Sequence, residues 1–181
     1  MAMANEQTAI FGGGCFWCIE AVFNRLRGVK SVVSGYMGGH VDKPTYRQVC
    51  NGDTGHAEVI RVTFDPDEIQ YRDLLEVFFA VHDPTTLNQQ GNDVGEQYRS
   101  VIFYTSDEQE READEAIAAL HEAKAFPEPI VTQVAEASTF YEAEGYHQEY
   151  YDNNATQPYC QFVITPKVKK FEKQFGEKMR A

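Results

Sequence analysis

The sequence predicts an α+β fold, a two-layer sandwich with a ferredoxin-like core, a mixed sheet and long functional loops. Short apolar runs alternate with amphipathic stretches in the order β-α-β-β-α-β-α-β. The 181 residues are 43% hydrophobic and 13% aromatic with no internal repeat, which suits one catalytic-sized domain spanning residues 1–181. A polar stretch rich in Asn, Gln and Gly, residues 83–95, is too long for a simple connection and asks for a functional explanation.

Each element follows from its local pattern. Thr8, Ala9, Ile10 and Phe11 form a short buried strand that runs into Gly12, Gly13 and Gly14. Beyond Cys15, Ile19, Val22, Phe23 and Leu26 recur at helical spacing, so a helix begins at or near Cys15. Residues 29–36 are a strand that leads into a glycine-rich segment, and a loop containing Pro44 follows. Residues 56–64, with Ala57, Val59, Ile60, Val62 and Phe64, make a largely buried strand. After a turn at residues 65–67, Tyr71, Leu74, Leu75, Phe78 and Phe79 mark an amphipathic helix running towards His82. Residues 98–104 are a strand. Ser106 and Gln109 fit a capping box opening a helix to about Ala125. Pro127 and Pro129 end that helix, residues 130–134 return as a strand, and the last third mixes short helices with loops around Pro158 and Pro166.

The formal net charge of −12 excludes a surface built to neutralise nucleic-acid phosphates. The acidic run at residues 107–115 and the basic stretch at 167–180 are solvated helix faces. Met1 precedes a short polar segment without an apolar core, and no run approaches a membrane span, so a cytoplasmic monomer free of membrane contact is expected. Four cysteines are too few for a disulfide scaffold, which leaves free, catalytic or metal-bound thiols.

The densest chemistry lies in residues 12–18, GGGCFWC. A cysteine at a helix N-terminus meets backbone N–H groups and a dipole that favour the thiolate. The CxxC spacing of Cys15 and Cys18 leaves three readings open. A thioredoxin-like pair would sit at such a terminus, yet Phe16 and Trp17 crowd the surface that a general disulfide exchanger presents to proteins. A zinc site needs two further ligands, and Cys50 and Cys160 stand apart with no second CxxC pair. The third reading makes Cys15 a nucleophile and the two aromatics the walls of a small apolar pocket. Aromatic rings interact well with sulfur and methyl groups, which points to a thioether-like substrate. Cys50 reads as a small packed residue. His40, His56, His82, His121 and His147 show no metal-ligand spacing, and His147 beside Gln148 and Glu149 reads as a solvated or locally bonded histidine; no metal and no cofactor are expected.

A wider pattern accompanies this block. Gly14-Cys15-Phe16-Trp17, the stretch Thr45-Tyr46-Arg47-Gln48-Val49-Cys50-Asn51-Gly52 with Thr54-Gly55-His56-Ala57-Glu58, the run His82-Asp83-Pro84-Thr85 with Gln90-Gly91-Asn92-Asp93-Val94-Gly95 and Gln97-Tyr98-Arg99-Ser100, and the later Phe140-Tyr141 and His147-Gln148 all resemble the A-type methionine sulfoxide reductases. The resemblance spans nearly the whole chain, in order and at compatible spacing. It implies that Cys15 attacks the sulfoxide sulfur, that Phe16 and Trp17 hold the substrate's methyl group, and that Glu58 is a buried acid. It further implies that Tyr46 and Tyr98 hydrogen-bond the sulfoxide oxygen and that Asp93 organises the polar side.

Chemistry gives these residues tasks. Displacing oxygen from a sulfoxide needs attack at sulfur while charge building on oxygen is neutralised, which a thiolate and a protonated carboxylic acid with phenolic donors supply. Burial beside Ala57, Val59 and Ile60 would raise Glu58 towards that protonated form. The expected products are methionine and a sulfenic acid on Cys15. Cys18 is the expected recycling thiol, since a Cα separation of about 5 Å on a helical turn lies within disulfide range. Cys160 is the runner-up or a second relay, and the resemblance implies thioredoxin as reductant. A general dithiol oxidoreductase and a zinc-stabilised or acidic interaction module are the rival readings.

Overall fold

A computed structural model describes residues 6–91 and 93–179. Its main sheet has six strands: β1 (Gln7–Gly12), β2 (Val29–Met37), β3 (Ala57–Phe64), β6 (Val101–Tyr104), β7 (Gln133–Glu136) and β8 (Tyr141–Glu142). They lie in the order β7-β6-β1-β3-β2-β8. The four central strands come from a β-α-β-β-α-β unit and place its fourth, first, third and second strands side by side, the ferredoxin-like arrangement. All pairs are antiparallel except β6 with β7, so the sheet is mixed as the sequence predicts.

Strand alternation decides what each face carries. Along β3, Ile60, Val62 and Phe64 point into the larger core, while Ala57 and Val59 point to a second cluster with Ile10, Met37, Val101 and Phe103. Glu58 shares the parity of Ile60, and it pairs across the ladder with Tyr36 of β2. Glu58 is thereby turned inward rather than to an edge, while Arg61 and Thr63 of the same strand stay half-buried. Phe11 of β1 anchors the larger core, its ring 5.0 Å from Phe78 and 5.6 Å from Phe23.

The helices are α1 (Phe16–Phe23), α2 (Tyr46–Cys50), α3 (Tyr71–Val81), α4 (Asp107–Glu122), α5 (Tyr150–Asn153) and α6 (Thr165–Phe175). Buried positions of α1, α3 and α6 belong to the larger core. Helix α1 is buried almost all round and begins directly after Cys15, whose φ and ψ of −63° and 127° are those of an extended N-cap. Helix α2 is short but doubly capped: Thr45 Oγ1 accepts from Gln48 N and Gln48 Oε1 accepts from Thr45 N. At α4 the expected capping box is half formed. Ser106 Oγ accepts from Gln109 N, but Gln109 Oε1 takes the N–H of Thr105 instead, and its Nε2 donates to Thr8 O, tying the helix to β1.

Several boundaries differ from the sequence expectation. Residues 96–98 form a 3-10 turn, not the start of β6, because Tyr98 N–H returns to Gly95 O. The strand expected at residues 130–134 is shifted to β7, since Val131 N–H is held by Pro84 O before the ladder begins. The polar stretch 83–95 carries a small hairpin of β4 (Gln89–Gln90) and β5 (Asp93–Val94). Near the C-terminus, a π-helical turn at Cys160–Ile164 runs straight into α6, with Pro166 in its first turn where no N–H is needed.

The central packing predicts that Phe11→Ala destabilises the protein by about 3–5 kcal/mol. Urea unfolding should show a lower midpoint with an unchanged slope.

Candidate active site

Three glycines carry β1 into α1 and deliver Cys15 to the buried end of the sheet. Gly14 has φ +88°, and its N–H donates to Tyr98 O at 3.2 Å. A Cβ on Gly14 would meet the Gln90 side chain, and one on Gly13 would meet the His82 ring, so both residues are required for the close approach. The supports themselves are fixed. Gln90 Oε1 accepts from Asp83 N at 2.9 Å and its Nε2 donates to Asp83 O. Burial pulls His82 down to about 4, leaving it neutral: Nδ1–H donates to Phe78 O, and Nε2 accepts from Ser100 Oγ at 2.7 Å.

Opposite the cysteine stands Glu58, 1% exposed. Its Oε1 accepts the Phe16 N–H at 3.1 Å, one of the donors that α1 leaves without an intrahelical partner. Its Oε2 is buried with no protein partner. Burial pushes Glu58 up to about 8, against the Phe16 N–H, with the charges of Asp93 and Cys18 adding to the rise. The carboxyl group therefore carries its proton at neutral pH. Burial first, then the field of Glu58, raises both Tyr46 and Tyr98, which stay phenols with an O–H to donate.

The aromatic side is a stack. Phe16 is fully buried, and its ring lies 5.7 Å from Tyr36 and 6.3 Å from Tyr46. Trp17 Nε1–H donates to His147 Nδ1 at 3.0 Å, and Tyr150 stacks on the indole at 3.8 Å and 10°. Tyr159 meets it edge-on at 5.9 Å. The Tyr159 hydroxyl donates to Asp93 Oδ2 at 3.3 Å and lies 3.8 Å from Cys18 Sγ, linking the hairpin to the second thiol.

Cys15 and Cys18 are both buried, and Cys18 N–H donates to Cys15 O at 3.1 Å. A hydrogen bond from Cys15 lowers Cys18 to about 7 in spite of burial, with Lys167 and the Tyr159 hydroxyl helping. Burial, the bond to Cys18 and the field of Glu58 hold Cys15 high. The pair thus gives up one proton near neutrality and keeps the other. Cys160 is buried too, next to Tyr159, and burial raises its thiol.

Through these hydrogen bonds, ring contacts and charge effects the structure brings Cys15, Phe16, Trp17, Cys18, Tyr46, Glu58, Asp93 and Tyr98 into one cluster. It corrects three readings. Burial outweighs the helix N-terminus at Cys15, whose thiol is held high while Cys18 is the one brought down. Cys50 is exposed, not packed, because Val49 is the inward residue of α2; its thiol bonds the hydroxyls of Tyr46 and Tyr98. His147 is fully buried against Trp17, not solvated. The sequence also gives no role to Glu144, which accepts from the Tyr36 hydroxyl and the Tyr46 N–H at 3.0 Å each, or to Tyr150 and Tyr159. The polar-aromatic run at residues 144–151 is a signal for Glu144 and Tyr150, and Tyr159 lies outside it. Among the described residues, no group of three or more His, Cys, Asp or Glu side chains could hold a metal ion, and no helix is long and apolar enough to cross a membrane.

The family model for peptide methionine sulfoxide reductase matches residues 7–179. The chain belongs to this family. The peptide methionine sulfoxide reductase MsrA of Ralstonia nicotianae is 57% identical over 179 residues, covering 97% of this chain and 94% of the relative. That of Deinococcus radiodurans is 59% identical over 177 residues, covering 98% of this chain and 86% of the relative. Among solved structures, reduced Mxr1 from Saccharomyces cerevisiae superposes with a TM-score of 0.79 at 34% identity, covering 88% of this chain and 91% of Mxr1. Reduced Mxr1 is thus similar to this chain in its α+β fold.

The buried neutral state of His82 predicts a pH dependence. Between the ordinary histidine value of about 6.5 and about 4, the unfolded chain binds a proton that the folded chain refuses. Stability from this site is therefore complete above the upper value and declines as pH falls to the lower one. The loss is on the order of 3 kcal/mol. Urea unfolding of the wild type and of His82→Gln should differ by an amount that shrinks with acidification.

Proposed function

We propose that the chain reduces the S epimer of methionine sulfoxide to methionine, in proteins and as the free amino acid, and so repairs oxidised protein. The whole chain acts as one catalytic unit. One observation carries the reading: a buried nucleophile faces a buried, protonated carboxyl group whose second oxygen has no protein partner. A sulfoxide supplies what each lacks, an electrophilic sulfur for Cys15 and a basic oxygen for Glu58.

The substrate's methyl group sits against Phe16 and the indole of Trp17, which leaves the sulfoxide oxygen towards Glu58, Tyr46 and Tyr98. Cys15 Sγ attacks the sulfur, forming an Sγ–S bond, as its proton passes to the ionised Cys18 of the pair. Electron density moves to oxygen, Glu58 delivers its proton there, and the two phenols donate hydrogen bonds in a site of low dielectric. The hydroxyl then passes from the substrate sulfur to Cys15 Sγ as the Sγ–S and S–O bonds break, so Cys15 ends as a sulfenic acid and methionine leaves with its lone pair restored. The Cys18 thiol, one helical turn away, then attacks the sulfenic sulfur, expels the oxygen as water and closes a Cys15–Cys18 disulfide. A Cys18 that ionises near neutrality suits that attack. Cys160 is the second relay, because it lies next to Tyr159, whose hydroxyl approaches Cys18.

Thioredoxin is the reductant in this scheme: its dithiol takes over the disulfide and is itself oxidised. Yeast Mxr1 is described in complex with Trx2. A cytoplasmic location suits this scheme, because a disulfide formed in each cycle is reduced again there, and four free thiols fit a reducing compartment.

Cys15→Ser should abolish reduction of the S-sulfoxide in single-turnover assays with a sulfoxide-containing peptide; retained turnover would sink the assignment. Glu58→Gln should slow the sulfoxide step by about a hundredfold to a thousandfold. In the wild type that step needs an ionised thiol pair and a protonated Glu58. Its rate should climb towards neutrality and fall as pH passes about 8, and the variant should lack the alkaline fall. After one turnover without reductant, peptide mass mapping should find Cys15 linked to Cys18. A Cys15–Cys160 link as the first product would reassign the recycling thiol.

A further inference from the structure

Helix α1 buries a second carboxyl group that the reaction does not use. Glu20 lies one turn beyond Phe16 and is 1% exposed. Ser34 Oγ–H of β2 donates to its Oε2 at 3.1 Å, and the backbone N–H groups of Glu149 and Tyr150, where α5 packs on α1, act on the same carboxyl as donors that lower its pKa. Burial pushes Glu20 up to about 7, while these donors pull the other way. A buried acid with three donors organises whatever carries them.

Two of the three donors belong to a strap, residues 143–150, that lies along the edge of β2. Ala143 N–H donates to Ser34 O at 2.9 Å. The Gln148 side chain continues that edge: its Oε1 accepts from Ser34 N, and its Nε2 donates to Ser34 O and to Ala143 O. Glu149 then takes φ +51°, a left-handed conformation that a side-chain-bearing residue holds only when neighbours fix it. The residues flanking that turn are the two that hold Trp17. His147, before it, accepts the indole N–H, and Tyr150, after it, covers the indole face.

We propose that Glu20 is a positioning residue for the methyl-binding wall. It grips the backbone at Glu149 and Tyr150, sets the left-handed turn between His147 and Tyr150, and thereby fixes the plane of the Trp17 indole that the substrate's methyl group meets. The inference rests on the sulfoxide reading for the role of Trp17, but not for the geometry. A purely structural Glu20 would support α1 and β2 and leave Trp17 untouched.

Trp17 is the only tryptophan in the chain, so its emission reports this wall alone. Glu20→Gln keeps the volume but turns one acceptor oxygen into a donor that faces N–H groups. It should shift the Trp17 emission to the red and raise its quenching by acrylamide. For a methionine-sulfoxide peptide, KM should rise about tenfold, the effect of one lost charge-assisted hydrogen bond, with kcat changed less than about twofold. Glu20→Asp keeps the charge but withdraws the carboxylate by one methylene, and it should show the same emission shift. Wild-type emission and KM in Glu20→Gln, whatever its thermal stability, would overturn the proposal; if that variant does not fold, wild-type emission in Glu20→Asp does so. Failure of the wild type to turn over sulfoxide would count against the proposed function alone, because the emission shift needs no substrate.

Discussion

The hydrogen bond from Phe16 N–H to Glu58 Oε1 is the contact on which the site depends. Helix α1 starts without a side-chain cap, so its first N–H groups need other partners. One of them finds the carboxyl group of a strand that is buried on both faces. The same bond therefore starts the helix, satisfies one oxygen of an expensive buried acid, and sets that acid beside the cysteine that precedes the helix. Its other oxygen is left buried and unpaired, a state that costs stability. In the proposed reaction that place is taken by the sulfoxide oxygen.

Both ends of this contact are held from behind. On the cysteine side, Gly13 and Gly14 rest on His82 and Gln90, which are locked by their own hydrogen bonds to the backbone at Phe78 and Asp83. On the acid side, β3 lies between β1 and β2, and its inward parity gives Glu58 no route to solvent. The protonated carboxyl group is thus a consequence of sheet order and strand parity, with no special neighbour needed to raise it. The aromatic wall is built differently. Trp17 is placed by the strap 143–150, a segment distant in sequence and joined to β2 through Gln148 and to α1 through Glu20.

The parts of this arrangement that are local were legible in the sequence. The apolar spacing after Cys15 places the helix start, the apolar residues across 56–64 mark a largely buried strand that holds Glu58, and the length of the 83–95 segment marks it as more than a connection. The parts that depend on long-range contacts were not. The Phe16–Glu58 bond spans 42 positions and the Trp17–His147 bond spans 130, so nothing beside His147 reveals that it is buried. Tyr98 has the residue type and setting of a strand, yet the chain turns there because its carbonyl is needed by Gly14. Cys50 looks like a packed thiol because small apolar residues usually pack, but a five-residue helix has only one inward position, and Val49 takes it. For the functional residues, the family pattern supplied in the sequence what periodicity could not.

The account stands or falls on the protonation state of Glu58, and infrared difference spectroscopy of the wild type against Glu58→Gln reads it directly. A protonated carboxyl band present at neutral pH, and lost to carboxylate bands as pH passes about 8, is the predicted result. A carboxylate signature for Glu58 already at neutral pH would contradict the account, because the sulfoxide oxygen would then have no acid to meet.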